Sequence, residues 1–321
     1  MMMMPSAIPI IPLEEIKRVV SERTNELIEA QEAGFVELSA GNVFTAPVQH
    51  LDLKGGDVCV KTGFVNDGDF FVVKIAGGFP GNAALDLSTT SGMMLVFNSS
   101  TGATECLLQD GGYLTDVRTA IAGAIAAKRL APRNVARIGV LGTGLQARFQ
   151  IRFLRHVGIS ATIVVWGRTK EKVDAYIADM AAEGFDATAA ATPAEVAEKC
   201  RLIVTTTASR EPLLHDAKPG THITAMGSDG LGKRELSPQL VAKADLRVAD
   251  YRKQSLSFGE FSCIQEASQD AAIELGELLA TQEHDRKDDD DKRITIFDSS
   301  GVAIQDVKIA LAVMRACRSS T

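Results

Sequence analysis

The chain lacks the cysteine and histidine patterns that hold metal ions or disulfide frameworks. Its five cysteines are scattered along 321 residues and form no CxxC pair. Its five histidines show neither HxH nor HExxH spacing. We therefore expect no metal site, and free cysteines in a reducing compartment.

Long apolar runs and an excess of basic charge are missing as well. No stretch approaches the roughly 18 consecutive apolar residues that a membrane span requires. The opening residues, MMMMPSAIPIIPLEE, have no basic region of the kind that begins a signal peptide. The formal net charge of −7 argues against nucleic acid or an anionic membrane as partner. We expect a cytoplasmic protein.

What is present in the first third of the chain is one helix followed by short strands. Residues 13–34 have helical periodicity and end at Gly34, which predicts a glycine C-cap. From there to residue 112, apolar runs alternate with Gly, Asn and Asp, which predicts an antiparallel sheet. Within residues 59–74 the Asp67-Gly68 pair predicts a tight hairpin. That register sets Lys61 opposite Lys74, where like charges are destabilising. Either the face is solvated and the two lysines splay apart, or an anion lies between them.

The pattern changes after residue 115, where apolar strands and helices alternate. This alternation predicts the α/β class, with a doubly wound parallel sheet of the Rossmann type. A discontinuous α+β domain for substrate binding and dimerisation should accompany it. We place the domains at residues 1–125 and 126–300, with residues 301–321 completing the first. The acidic stretch 283–292 (EHDRKDDDDK) predicts a solvated loop without the ligand spacing of a metal site.

A glycine-rich turn follows the first strand of the predicted parallel sheet. Residues 136–154, ARIGVLGTGLQARFQIRFL, contain Gly142-x-Gly144-x-x-Ala147 between a strand and a helix. Glycines at these positions permit a tight turn and close approach of a pyrophosphate to the helix N-terminus. The turn therefore predicts a dinucleotide site.

The next strand indicates which dinucleotide binds. NAD-binding sheets commonly place Asp or Glu at the end of that strand, on the ribose 2′-hydroxyl. Here the strand ends in Trp166-Gly167, and Arg168, Thr169 and Lys170 follow. An arginine fork suits a 2′-phosphate. NADP(H) is therefore favoured over NAD(H), which stays possible.

Five sequence blocks occur in the order and at the spacing of one protein family. They are VVKIAGGFPGN (72–82), GYLTDVRTAIAGAIAAKRLAP (112–132), GVLGTGLQA (139–147), TAMGSDGLGKREL (224–236) and ITIFDSSGVAIQD (294–306). On these blocks the chain resembles, over nearly its whole length, the ornithine cyclodeaminase/μ-crystallin family. Members of that family include cyclodeaminases, archaeal-type alanine dehydrogenases, ketimine reductases and a binding protein. The segment WGRTKEK is similar to the μ-crystallin version, which is associated with NADPH.

The resemblance implies a set of site residues. Lys74 and Arg118 would bind the substrate carboxylate, and Asp229 would be the acid/base beside the reacting carbon. An arginine fork and a lysine point charge suit a carboxylate, and a carboxyl group at a strand end can be tuned by burial. Besides the glycines, Arg168 and Thr169, the resemblance implies cofactor contacts by Thr89, Arg118, Thr119, Leu145, Gln146, Thr207, Met226, Asp229, Lys233 and Ser299.

The chain departs from the ornithine-specific pattern at one position. Where those members carry a glutamate for the distal amine, this chain has Lys61, which would repel a second ammonium. A small neutral side chain, such as that of alanine, or a distal anionic group fits better. The expected activity is hydride transfer between an NAD(P) nicotinamide and the α-carbon of a small 2-imino or L-amino acid. A cyclodeaminase with tightly bound NAD and an NADP(H)-dependent binding protein are the alternatives; a homodimer is expected in each case.

Overall fold

A computed structural model describes residues 7–264, 272–281, 283–286, 288 and 292–319. The chain divides into two compact units, residues 1–118 with 302–321, and residues 119–301. The sequence places the first boundary slightly later, at 125/126. Of the acidic stretch 283–292, residues 287 and 289–291 lie outside the described part, so the loop there stays a prediction.

The elements are numbered in chain order. The strands are β1 Ile10–Pro12, β2 Val43–Thr45, β3 Gln49–Leu53, β4 Gly56–Val65, β5 Phe70–Gly78, β6 Thr90–Asn98, β7 Thr104–Gln109, β8 Arg137–Leu141, β9 Thr162–Trp166, β10 Ala187–Ala189, β11 Leu202–Thr205, β12 His222–Ala225, β13 Leu246–Ala249, β14 Ala272–Glu274 and β15 Thr295–Asp298. The helices are α1 Leu13–Glu22, α2 Thr24–Ser39, α3 Tyr113–Leu130, α4 Leu145–His156, α5 Lys170–Ala182, α6 Pro193–Lys199, α7 Pro238–Lys243, α8 Arg252–Phe258, α9 Leu275–Ala280 and α10 Ala303–Ser319.

The first unit is built on a sheet with the order β1-β7-β6-β5-β4-β2, in which β3 also pairs with β4. Its neighbours are antiparallel except for β1 and β7, which run parallel. Helix α10 packs on one face, where Gly63 lies against Ala303 and Val307. On that face the apolar side chains of Val72 and Met94 are buried, so α10 and the sheet share one core.

The prediction of a single helix ending at Gly34 is wrong. Helices α1 and α2 meet at Arg23, and α2 continues through Gly34 to Ser39. Gly34 is a packing contact, because a Cβ there would lie 2.7 Å from Cγ of Lys308 on α10. The small residue lets α2 and α10 approach each other, a contact that local periodicity does not reveal.

The predicted hairpin register is confirmed, since Lys61 pairs with Lys74 across β4 and β5. The turn itself differs from the prediction. Its closing hydrogen bond runs from the Gly68 N–H to the Val65 carbonyl at 2.9 Å, and Asp67 has a φ of 58°. The central residues are therefore Asn66 and Asp67, one position earlier than predicted. The four-residue connection 66–69 is symmetric about the same point and preserves the register.

The second unit is a parallel sheet with the order β10-β9-β8-β11-β12-β15-β13-β14. The strands β8, β11, β12 and β15 are buried almost throughout, as expected for a parallel sheet covered by helices on both faces. The strand order reverses between β8 and β11, and ligands of such sheets bind at that point, beyond the carboxyl ends of the strands. The predicted α/β class with a Rossmann sheet is confirmed. Among the described helices, none is long and apolar enough to cross a bilayer.

Candidate functional site

A buried ion-pair cluster in the first unit joins two of the predicted carboxylate ligands to Asp306 on α10. Lys74, on β5, donates from Nζ to Asp306 Oδ1 at 2.8 Å. The Nε of Arg118, on α3, lies 3.3 Å from the same oxygen. All three side chains are buried. Two cations therefore share one carboxylate oxygen away from solvent.

The charge around this cluster is unbalanced towards positive. Burial lowers the pKa of Lys74 to about 7; Asp306 opposes this shift, while Arg118 and Lys61 add to it. Burial alone would raise the pKa of Asp306, but the three cations outweigh it and hold that pKa below the usual value. Burial raises the pKa of Asp110, a carboxyl group on which the charge of Lys74 acts in the opposite direction. Among the described residues, Lys74, Arg118 and Lys61 all act on the firmly ionised carboxylate of Asp306, and this positive surrounding electrostatically favours a further anion.

Gln305, beside Asp306 on α10, fixes the position of Arg118. Its Oε1 accepts from Arg118 Nη1 at 3.2 Å, and its Nε2 donates to the Arg118 carbonyl at 3.1 Å. The carbonyl of Gln305 in turn accepts from Gln31 Nε2 at 2.7 Å. Gln305 therefore holds Arg118 both at its guanidinium and at its backbone carbonyl.

Lys61 lies on the sheet face that α10 covers, because it pairs directly with Lys74. Its charge disfavours protonation of Lys74 and favours ionisation of Asp306.

The predicted dinucleotide turn lies in the second unit, between β8 and α4. Gly142 has a φ of +118°, and a Cβ there would lie 2.6 Å from Thr206 Oγ1, just past β11. Gly144 is the N-cap of α4, and a Cβ there would meet nothing within 4 Å. The first glycine is required by backbone conformation and by its neighbour. The second leaves open space at a helix N-terminus, which suits a pyrophosphate.

The polar residues after β9 differ in whether their side chains already form an ion pair. Arg168 and Thr169 are exposed directly beyond the strand, and Thr169 is the N-cap of α5 without using its side chain as a cap. Lys170 forms an ion pair with Asp174 at 2.5 Å within α5. Arg168 and Thr169 therefore keep the position expected for contacts to the ribose, whereas Lys170 is engaged on its own helix.

Asp229 lies in the loop that follows β12. Its Oδ1 accepts from Lys233 Nζ at 2.5 Å, and the side chain is 55% exposed. Asp229 is therefore more exposed than expected for a carboxyl group tuned by burial. The ion pair with Lys233, also a predicted site residue, instead fixes its orientation within the loop.

The turn after β15 is held by a carboxylate that sequence reasoning missed. Asp250, just beyond β13, accepts from Ser299 Oγ at 3.2 Å, from Ser300 Oγ at 2.8 Å and from the Gly301 N–H at 2.7 Å. Burial raises the pKa of Asp250, whereas these hydrogen bonds lower it. The predicted contact residue Ser299 thus has a position set by Asp250.

The remaining predicted residues fall into two groups. Thr207 and Met226 follow β11 and β12, which adjoin β8 and β15 in the sheet, so the sheet brings them to one edge with Gly142 and Ser299. Elsewhere, Leu145 and Gln146 open α4, Thr119 lies on α3, and Thr89 is exposed one residue before β6.

Two further residues with a part in the site carried only weak sequence signals. Asp306 is an acidic residue in the first turn of α10, where it reads as a favourable partner of the helix dipole. Gln305 beside it reads as an ordinary helix residue. Their position at the end of the quoted block ITIFDSSGVAIQD was the available hint. No group of three or more potential metal-ligating side chains occurs within the part of the chain that the structure describes.

Several relatives share this architecture and much of the sequence. A putative dehydrogenase of Rhizobium meliloti is 39% identical over 91% of each chain. An uncharacterized cyclodeaminase of Sinorhizobium fredii is 38% identical over 91% of each. The alanine dehydrogenase of Archaeoglobus fulgidus is 32% identical over 95% of this chain and 93% of its own.

Two solved structures have the same fold over nearly the whole chain. An archaeal alanine dehydrogenase dimer with bound NAD has a TM-score of 0.85 at 30% identity, over 98% of this chain and 97% of the other. The iminosuccinate reductase of Paracoccus denitrificans in complex with NAD+ has a TM-score of 0.83 at 29% identity, over 98% and 97%. The ornithine cyclodeaminase/mu-crystallin family matches residues 13–321. The resemblance expected from the five sequence blocks is thereby confirmed, and the chain belongs to the ornithine cyclodeaminase/mu-crystallin family.

Proposed function

We propose that this chain is a nicotinamide-nucleotide-dependent oxidoreductase acting at the C–N bond of a small 2-amino or 2-imino acid. The reaction is of the alanine dehydrogenase or cyclic ketimine/imine reductase type. The observation that carries the proposal is the buried cluster in which Lys74 and Arg118 converge on Asp306 Oδ1. The activities named for the alanine dehydrogenase and iminosuccinate reductase relatives support it.

The cluster has the charge that an α-carboxylate requires. Lys74 and Arg118 both contact one carboxylate oxygen, and Lys61 lies on the same sheet face. This excess of positive charge favours the binding of one more anion. A substrate carboxylate would accept from the ammonium of Lys74 and from the guanidinium of Arg118, and charge-assisted bonds of this kind are strong. Gln305 holds Arg118, so the ligand meets a guanidinium that is already ordered.

The cofactor is a nicotinamide nucleotide held by the glycine-rich turn and the carboxyl edge of the parallel sheet. The open space at Gly144 and the close approach of Gly142 to Thr206 fit a pyrophosphate at the start of α4. Such a nucleotide would supply hydride transfer to or from the α-carbon of the substrate. Thr207, Met226 and Ser299, at the same sheet edge, would line its ring.

The residues of the chain itself bind the substrate and move a proton. Lys74 and Arg118 bind the carboxylate of the substrate and orient it. Asp229 takes the proton from the amine, or returns it to the imine, at the substrate nitrogen. Lys233, in contact with Asp229, holds that carboxylate in one orientation.

We further propose that NADP(H) is preferred over NAD(H). No carboxylate stands at the end of β9, where Arg168 and Thr169 are exposed. A guanidinium there suits a 2′-phosphate better than a bare ribose. The two solved relatives above hold NAD or NAD+, so use of NAD(H) is the alternative that binding measurements must decide.

The substrate carries either a small neutral side chain or a distal anionic group. Lys61 lies opposite Lys74, and a diamino acid would bring a second ammonium towards these cations. This repulsion argues against the cyclodeaminase alternative with ornithine. A dicarboxylic imino acid would be attracted by the same charge.

We also propose a homodimer, formed through the sheet face of the first unit opposite to α10. That face carries partly exposed apolar side chains, including Val73 and Leu95, which pair with each other, and the stacked rings of Phe71 and Phe97, 4.8 Å apart. An apolar face of this kind suits an interface between subunits. Val73→Asp should convert the dimer to a monomer in light scattering; an unchanged mass would contradict this interface.

The test of the activity monitors oxidation of NADPH and of NADH with candidate imino acids. Pyruvate plus ammonia, oxaloacetate plus ammonia, and pyrroline- and piperideine-carboxylates cover the neutral, dicarboxylic and cyclic substrates. Asp229→Ala is the control. Turnover with at least one substrate that falls by about a hundredfold or more in Asp229→Ala supports the proposal. Turnover no higher than that of Asp229→Ala with every substrate would exclude it.

A further inference from the structure

The loop after β12 is anchored by two buried glutamates that sequence reasoning did not assign. This loop, residues 226–236, carries Asp229 and Lys233 and ends at Glu235 and Leu236. Its tip is exposed, and Leu231 is the most exposed large apolar residue among those described. What fixes the loop is therefore its two ends, where buried carboxylates accept hydrogen bonds.

Glu235 joins the two ends of the loop to each other and to the neighbouring strand. Its Oε2 accepts from the Gly227 N–H at 2.8 Å and from Thr205 Oγ1 at 2.6 Å. Its Oε1 accepts from the Thr207 N–H at 2.5 Å. One carboxylate thus binds the start of the loop, the end of β11 and the residue that follows β11.

Glu260 also accepts hydrogen bonds from both ends of this loop. It accepts from the N–H groups of Glu235 at 2.7 Å and Leu236 at 3.1 Å, and from the hydroxyl of Ser228. Ser228 immediately precedes Asp229. The backbone on the N-terminal side of Asp229 is therefore held by Glu235 through Gly227 and by Glu260 through Ser228.

Gly227 lies where the loop, the Glu235 side chain and the residue after β11 approach one another closely. A Cβ at Gly227 would lie 2.1 Å from the Thr207 carbonyl oxygen and 2.5 Å from Cδ of Glu235. The three segments are in van der Waals contact at this point. Movement of the Glu235 side chain would therefore displace both the loop and the residue after β11.

We propose that Glu235 is a positioning residue for Asp229: by binding Gly227, Thr205 and Thr207 with one carboxylate, it sets the place of the acid/base relative to the nicotinamide-binding edge of the sheet. The inference rests on the proposed function of Asp229. It assigns to Glu235 an effect on the chemical step, because its hydrogen bonds hold the start of the loop that carries Asp229 against the end of β11.

Glutamine is the informative replacement. A carboxylate accepts all three hydrogen bonds, whereas an amide offers one oxygen and turns an NH2 group towards a backbone N–H. Glu235→Gln keeps the volume but sets two donors against each other at Gly227 or Thr207. Thr205→Val is the milder variant, since it removes one donor and leaves the carboxylate in place.

The experiment is a double-mutant cycle between Glu235→Gln and Asp229→Asn, read in kcat and KM. Glu235→Gln alone should lower kcat at least about tenfold and change the KM for cofactor less than about threefold. In the Asp229→Asn background the same change should lower kcat less than about twofold, because residues that act as a unit are not additive. Thr205→Val should show the same non-additivity with a smaller single effect.

The matched control is Glu274→Gln, which removes another buried carboxylate that accepts a backbone N–H, from Arg252 at 3.1 Å. It should leave kcat within about twofold of the parent enzyme. Glu235→Gln should also speed amide exchange in residues 227–234 without changing exchange in β12. That readout does not depend on turnover and would not respond to a purely global loss of stability.

The outcomes separate this inference from the proposed function. If Asp229→Asn keeps full turnover, the acid/base assignment and the positioning role fall together. If Asp229→Asn lowers kcat strongly but measurably and the Glu235→Gln effect is fully additive with it, or equals that of Glu274→Gln, only the positioning role is overturned. A loss in kcat that disappears in the Asp229→Asn background supports it.

Discussion

Lys74 Nζ lies 2.8 Å from Asp306 Oδ1, and both side chains are buried. Burial, against the attraction of Asp306, lowers the pKa of Lys74 to about 7. The amine is half charged at that pH, almost fully charged well below it and neutral well above it. Binding of a carboxylate needs the charged form, so the affinity of the site is coupled to pH.

We expect the affinity for a carboxylate substrate to fall as the pH rises through about 7, the pKa of Lys74. If only the charged form binds, the KM should rise by up to about tenfold for each pH unit above that value. The profile of kcat/KM with pH measures it. Calorimetry in buffers of different ionisation enthalpy should show proton uptake on binding above the pKa.

Lys74→Arg is the control for this limb of the profile. A guanidinium stays charged throughout the accessible pH range, so the fall in affinity should vanish in the variant. A limb that persists unchanged in Lys74→Arg would assign the titration to another group.

Asp306→Asn should move the same limb to lower pH. The carboxylate is the main group that favours protonation of Lys74, and its removal leaves Arg118 and Lys61 to lower that pKa further. Above neutral pH the KM should therefore rise at least about tenfold relative to the parent. Asp216→Asn, which breaks an exposed ion pair with Lys243, is the control and should leave the profile in place. An unshifted limb in Asp306→Asn would contradict this account of the cluster.

The sequence predicts those parts of the molecule whose cause is local. The buried strands β8 and β9 and the turn at Gly142 follow from apolar runs and from a backbone conformation that glycine adopts most readily. The register of Lys61 and Lys74 follows from the short connection between their strands. These features need no knowledge of distant residues, so the Rossmann sheet and the hairpin pairing could be predicted.

The residues whose roles could not be predicted depend on contacts with residues far away in the sequence. Gly34 resembles a helix C-cap, but its role is set by Lys308, which no local pattern connects to it. In the sequence, Asp306 looks like an ordinary acidic residue in the first turn of a helix. Its ion pair with Lys74 on β5 appears only in the folded structure. Asp250 and Glu235 read as loop acids, although each is buried and binds backbone N–H groups from other segments. Tertiary structure gives these residues their role.

Lys61→Glu should change the class of ligand that the site accepts. The substitution replaces a cation opposite Lys74 by a carboxylate that can receive a second ammonium. We expect the ratio of affinities for ornithine over alanine to rise by at least about tenfold. Inhibition constants or thermal shifts with both amino acids measure it. Lys54→Glu, in an exposed turn, changes the net charge equally and should leave the ratio unaltered. An equal response of the two variants would argue against a role for Lys61 in substrate selection.

Arg168→Asp should separate the two dinucleotides. The guanidinium is expected to contact the 2′-phosphate, so its loss should weaken NADPH binding by more than about tenfold. A carboxylate there can accept from a ribose hydroxyl, so NADH binding should be unchanged or improved. Fluorescence titration gives both dissociation constants. Lys172→Asp, exposed on α5, is the charge-matched control. Equal losses for NADPH and NADH in Arg168→Asp would overturn the NADP(H) preference.

Gly227→Ala and Gly230→Ala test how tightly the loop after β12 is packed. A Cβ at Gly227 would lie 2.1 Å from a backbone oxygen of Thr207, whereas one at Gly230 would meet nothing within 4 Å. Overpacking against backbone cannot be relieved by a side-chain rotation, so Gly227→Ala should lower the free energy of unfolding by about 1–3 kcal/mol. Gly230→Ala, in the same loop, should leave it nearly unchanged. Scanning calorimetry of both variants measures the difference. Equal thermal midpoints would mean that the loop can shift away from β11, and the anchoring assigned to Glu235 would then lose its physical basis.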